Sequence, residues 1–164
     1  MKKTLIIIVF LAYSSILFSQ EKDSLIVGEW KVISIETQNY YYNSLTDSFS
    51  WSKEYKKMLP KLMKDFGYND SEEFVESTKK KTTSDKFIFQ KDGIYLRKCN
   101  TQILREGNYS IKSSEKIIDF KDKDKPEYSM KYSIKKGLLY LTIIFNGNSK
   151  LKPTKFVLQK TTTS

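Results

Sequence analysis

Hydrophobic and polar positions along this chain follow two different periods, and the switch between them divides it. From Ile26 to about Gln38 large apolar residues alternate with small or polar ones: Trp30, Val32 and Ser34 fall on one side, Lys31, Ile33 and Ile35 on the other. Period two over that length predicts a first β-strand with both faces partly apolar, so the outer face needs a cover. From Trp51 the spacing lengthens. Trp51, Tyr55, Met58, Leu59, Leu62, Met63 and Phe66 trace one stripe of an α-helix with lysines opposite, and Ser50 and Gly67 are placed to cap its two ends. Pro60 removes a backbone donor inside that stripe, which predicts a kink or a fresh first turn. A second helix is predicted from about Asp70 to Lys80, where Asn69 with Glu72 reads as a capping box and Phe74 and Val75 are the packing residues.

From Asp85 onward the period returns to two and stays there. Lys86 to Gln90 and Ile94 to Cys99 flank Lys91-Asp92-Gly93, a hairpin signal. A two-residue turn would set Phe89 beside Leu96. A three-residue turn with Gly93 left-handed gathers Phe87, Phe89 and Tyr95 on one face, and is the register expected. Further strands are expected at Ile103 to Ile111, Lys116 to Phe120, Tyr128 to Lys135, Leu138 to Phe145 and Thr154 to Lys160, with turns at Asp122 to Pro126, Lys136-Gly137 and Asn146 to Asn148. In Tyr128 to Lys135 the alternation is clean, with Tyr128, Met130, Tyr132 and Ile134 on the buried side. About eight strands is the number at which a sheet closes on itself and encloses side chains or one small ligand. The expected fold is therefore mainly β: a single antiparallel up-and-down β-barrel of about eight strands, with a two-helix insertion after strand 1 at about 50–81.

Residues 1–20 are expected to lie outside that domain. Met1-Lys2-Lys3, the apolar run from Leu5 to Phe18 and the small Ser19 before Gln20 read as a secretory signal peptide, leaving 21–164 as one exported domain, periplasmic or extracellular, with no transmembrane segment. The lone Cys99 allows no internal disulfide, so the fold rests on its core.

The formal charge of +10 suggests nucleic acid at first sight. Only Arg97 and Arg105 are arginines, however, and the lysines are spread along the chain, so nucleic acid is not expected; the charge reads either as a plain lysine-coated soluble surface or, functionally, as weak attraction to anionic envelope surfaces. The chemistry for catalysis is sparse. There is no histidine, Cys99 has no partner to activate it, and Glu72-Glu73 and Asp122 with Asp124 sit in helical or turn surroundings where solvated carboxylates are expected. Asp122, Asp124 and Glu127 are interleaved with lysines, which oppose a cation. Neither cofactor nor metal is expected, and the protein is read as a non-enzyme.

Four motifs in order, Gly28-x-Trp30-Lys31, Phe87-x-Phe89 with Asp92-Gly93-x-Tyr95, Gly107-Asn108-Tyr109-x-Ile111, and Lys155 to Leu158, resemble the lipocalin-like (calycin) small β-barrel family in an exported bacterial form. The resemblance implies a barrel open at one end that receives a small hydrophobic molecule, with Trp30 driven into the closed end. It also implies a cation over the indole; where lipocalins use arginine, this chain offers Lys155 or Lys160. The helical insertion looks more like the lid of the fatty-acid-binding proteins.

The candidate ligand-binding residues are Trp30, Val32, Trp51, Tyr55, Phe87, Phe89, Tyr95, Arg97, Arg105, Tyr109, Met130 and Tyr132. If Tyr95 and Tyr109 point inward, period two puts Arg97 and Arg105 on the same inner face, where a guanidinium would hold the head of an acidic amphipathic ligand. Against that, the aromatic set Trp30, Phe87, Phe89, Tyr109, Tyr132, Phe145 and Phe156 suffices to fill the barrel. The alternative is then a filled barrel acting as a protein-interaction or inhibitor module in the cell envelope. Tyr40-Tyr41-Tyr42 is expected to form a sticky rim or a hinge beneath the helices.

Overall fold

The computed structural model describes residues 24–145 and 152–161. The expected signal peptide and the Asn146 to Asn148 turn lie outside them. In chain order the elements are β1 Gly28–Glu36, β2 Tyr40–Asn43, β3 Ser48–Trp51, α1 Lys53–Phe66, α2 Ser71–Thr83, β4 Asp85–Phe89, β5 Ile94–Cys99, β6 Gln102–Lys112, β7 Ile117–Asp122, β8 Tyr128–Lys135, β9 Leu138–Ile144 and β10 Lys155–Lys160.

Eight of these strands close an antiparallel barrel in which β4 to β10 each pair with the next in sequence and β10 returns to β1. β1 is the seam. Its first half, Gly28 to Lys31, pairs with β4; Ser34 to Glu36 pair with β2; and β10 runs along the opposite edge from Trp30 to Glu36 across a bulge between Val32 and Ser34. One strand thus serves the barrel and, beyond the reach of β4, an additional hairpin.

That hairpin corrects the expected order: the helices follow β3, not strand 1. Tyr40 pairs with Trp51 and Tyr42 with Phe49. Four aromatics at period two on facing strands stack better as a hairpin than as a hinge, and the rings lie 4.7–6.1 Å apart between centroids. Trp51 consequently ends a strand instead of opening the helical stripe, and Ser52, not Ser50, caps α1 by accepting from the Tyr55 N–H at 3.2 Å. α1 passes through Pro60 without a break. Pro60 and Lys56 are solvent-facing, so the carbonyl that loses its helical donor is left to water. Gly67 terminates the helix in the left-handed region at φ 73°. The start of α2 is one residue later than expected: Asp70 accepts from the Glu72 and Glu73 N–H groups, both at 2.8 Å, and Glu73 reaches back to the Asn69 N–H.

The hairpin register at Gly93 is the three-residue one. Phe89 stands opposite Tyr95, with Gly93 at φ 83°. Phe87, Phe89 and Tyr95 are accordingly all buried in one cluster with Trp30, Val32, Phe120, Met130, Leu139, Leu141, Phe156 and Leu158.

Candidate functional site

The floor of the barrel is organised by Trp30. Its Nε1–H donates to the Ile26 carbonyl at 2.6 Å, and Lys160 of the last strand holds its ammonium 5.4 Å from the indole centroid, in the place where a cation is expected. Gly28 makes room for it: a Cβ there would meet Lys160 Cε at 2.7 Å, and the backbone sits at φ 131°, which side chains disfavour.

Above the floor the interior is side chain. Phe87, Tyr95, Val32, Ile118, Leu139, Leu141 and Leu158 are 0 % exposed and Phe89, Phe120 and Met130 1 %, so water-sized space is all but absent around them. Edge-on ring contacts of Phe87 with Phe156 at 5.4 Å and of Tyr95 with Phe120 at 4.7 Å interlock strands that lie next but one to each other around the barrel. Tyr109 and Tyr132 are half-buried against this core, and the Tyr109 hydroxyl donates to the Gln90 carbonyl at 2.8 Å. Phe145, expected in the core, is 40 % exposed because it stands one residue past the end of β9.

The two arginines meet at the other end. Arg97 and Arg105 are register partners on β5 and β6, and both turn inward. Arg97 lies 5.1 Å from the Phe87 ring and 5.0 Å from the Phe156 ring; Arg105 lies 4.7 Å from the Tyr128 ring. Each meets a carboxylate of this chain. Arg97 Nε donates to both Asp85 oxygens at 3.1 Å and its Nη2 to Oδ2 at 2.5 Å, while Arg105 Nη1 donates to Asp122 Oδ2 at 2.5 Å. The carboxylate position expected of a ligand head is thus occupied by Asp85 and Asp122. Asp122 also departs from the solvated turn carboxylate expected: it ends β7, its side chain is 2 % exposed, and burial pushes its carboxyl above the ordinary range. Its Oδ1 has no hydrogen-bond partner among the described atoms. Burial likewise raises the Tyr128 phenol, which sits beneath Arg105 and donates to the Tyr95 hydroxyl at 3.4 Å.

Both aspartates were within reach of sequence reasoning. With Phe89 opposite Tyr95, Asp85 falls opposite Cys99, two residues from Arg97 along the same face. Asp122 stands opposite Gly107, two residues from Arg105. Diagonal neighbours at that spacing are within the span of an arginine.

The helical insertion forms a second aromatic cluster outside the barrel. Trp51 stacks on Tyr55 at 5.1 Å and on Phe74 at 5.3 Å, and Phe74 meets Tyr68 at 4.8 Å. Trp51 and Tyr55 therefore join the hairpin to the helices and are not gathered with Trp30 and Phe87. α2 packs across β1, and Lys79 ties it to the hairpin through Asp47 at 3.0 Å, with Glu76 at 2.8 Å on its own helix. The hydrogen bonds to Glu76 and Asp47 raise the Lys79 ammonium well above its ordinary value. Tyr40 closes the joint through Thr82 at 3.2 Å, and burial raises its phenol. Cys99 is buried there, its thiol 3.5 Å from the Lys81 carbonyl.

Several open grooves face solvent among the described residues, and two of them are large. One of about 570 Å³ runs along β6 to β8 past Asn108, Ser110, Lys121 and Ser129. Another of about 800 Å³ lies beside Ser24, Val27, Lys91 and Ile111. No helix among the described residues is long and apolar enough to cross a membrane. Comparison of this chain with protein-family models, with curated proteins and with solved structures found no match in any of the three.

Proposed function

We propose that this chain is an exported, non-enzymatic scaffold that works from its outside: a filled β-barrel that engages another component of the envelope through its helical insertion. On this reading the resemblance to lipocalin-like proteins concerns architecture, and the pocket has been given over to side chains. The observation that carries the reading is the contrast between interior and insertion. Ring and aliphatic side chains at 0–2 % exposure occupy the barrel from Trp30 to Phe156, whereas Met58 and Phe66 on α1 are 49 % and 67 % exposed.

Native mass spectrometry of the mature protein purified from its own source tests it. The expected spectrum is that of the bare polypeptide. A retained apolar molecule would refute the reading. A second reading, a small hydrophobic or acidic-amphipathic ligand, is confined to the open end, where Arg97 and Arg105 are partly exposed and Asp122 Oδ1 is without a partner. A retained molecule that disappears from Asp122→Asn protein is the outcome that favours it.

A further inference from the structure

Resting on that reading, we propose that α1 is an interfacial helix that lays its apolar row into the headgroup layer of an anionic bilayer. Met58, Leu62 and Phe66 recur every four residues and make one row along the helix. Leu62 is half-buried, but Met58 and Phe66 at the two ends of the row are largely exposed, Phe66 stacking on Phe74 at 6.5 Å, and no residue of α1 is fully buried. The remaining circumference carries Lys53, Lys56, Lys57, Lys61 and Lys64 against Glu54 and Asp65, so five cations face two anions on 14 residues.

Elsewhere Lys79, Lys86, Lys112, Lys121, Lys123, Lys152 and Lys155 are each held by a carboxylate, while others among the described residues, Lys131 and Lys135 of the barrel wall included, are not. Among the described residues, none of the five lysines of α1 has an ion-pair partner. An exposed apolar row on a helix whose opposite side carries these ammonium groups on long stems suits a surface that is greasy beneath and anionic above. A helix of 14 residues is about 21 Å long, short of the roughly 30 Å hydrocarbon core, so it lies in the plane of the membrane and does not cross it. A second copy of the chain seated on the same face would bring two sets of lysines together, which disfavours self-association there.

The test is co-sedimentation of the intact mature protein with vesicles of pure phosphatidylcholine and of phosphatidylcholine containing about 40 % phosphatidylglycerol, at low and high salt. Binding is expected to the anionic vesicles only and to fall steeply at about 0.5 M salt, beyond screening range. The double variant Met58→Ser/Phe66→Ser is expected to bind about tenfold or more weakly with its circular dichroism unchanged, since both side chains are largely exposed and the fold gives up only the stacking of Phe66 on Phe74. Lys57→Glu/Lys61→Glu is expected to lose a similar factor. Lys131→Glu/Lys135→Glu, on exposed positions of β8, removes the same charge from the barrel wall and is expected to bind within about twofold of the native protein.

Equal binding to neutral vesicles, no binding to anionic ones, full binding by the serine variant, or an equal loss in the barrel-wall variant would each overturn the proposal. So would tight binding to soluble polyglutamate that survives the serine substitutions, which would make the partner an acidic protein. If vesicles fail while the native spectrum shows bare protein, the lipid partner falls and the outside-working scaffold stands. A retained small molecule sinks the scaffold reading without touching the vesicle result.

Discussion

Replacing Arg97 by methionine should damage this fold far more than an average substitution, because it isolates Asp85. The carboxylate is 9 % exposed and holds the guanidinium through contacts of 2.5 to 3.1 Å; Arg97 itself is 20 % exposed. At a charge separation of about 4 Å and an effective dielectric near 20 the attraction is about 4 kcal/mol. Desolvation of the two ions consumes most of that, so the pair adds little over an apolar pair of the same shape. Removing the cation alone keeps the desolvation and discards the attraction. The expected loss is about 3 kcal/mol, at the lower end for a broken buried pair because water reaches one edge of Arg97. The cation–π contacts with Phe87 and Phe156 go as well, but methionine refills that space. In thermal unfolding the loss corresponds to a midpoint lower by about 10 °C. The double variant Asp85→Leu/Arg97→Met should recover to within about 1 kcal/mol of the native protein in urea titrations. A single variant that loses less than about 1 kcal/mol, or a double variant that loses the sum of both singles, would refute the reasoning.

Three further outcomes are expected. Gly107→Ala should cost about 3 kcal/mol in chemical unfolding, since its Cβ would stand 2.1 Å from the Lys121 carbonyl oxygen and 2.8 Å from Asp122 Cα, backbone that cannot yield; a neutral result would mean that β6 and β7 are not this close. Glu36 is held below the ordinary carboxylate range, first by the Lys152 and then by the Lys155 hydrogen bond. Its contribution is therefore present above the unfolded value of about 4.3 and is lost as pH falls through the lower folded one. Carboxyl NMR titration should find Glu36 low in the native protein and nearer ordinary in Lys152→Met/Lys155→Met; an ordinary native value would disprove the contacts. Trp51→Ala should speed amide exchange in α2 while leaving β4 and β7 protected, because Trp51 joins Tyr55 to Phe74 outside the barrel; uniform acceleration would count against two separate clusters.

Much of the architecture was legible from side-chain spacing. Strict alternation from Asp85 onward, the Asp92-Gly93 turn and the aromatic faces that it aligns are local matters, decided by period two and by the backbone freedom of one glycine. The burial of Trp30 followed from the size of an indole early in an apolar strand. The hairpin of β2 and β3 was missed because three consecutive tyrosines hide an alternation that shows only when Phe49 and Trp51 are set opposite them.

What the sequence by itself determined, then, is the eight strands of the barrel, their local turns, and an amphipathic helix with lysines opposite its apolar stripe, since each depends on residues a few positions apart. The tertiary structure decided what depends on residues far apart: that β10 returns to β1, that rings from non-adjacent strands meet and fill the interior, that Arg97 and Arg105 are claimed by Asp85 and Asp122, and that Met58 and Phe66 stay largely exposed. Periodicity says which way a side chain points. Only closure of the barrel says what it meets there, because volume and charge are matched between strands and not along them.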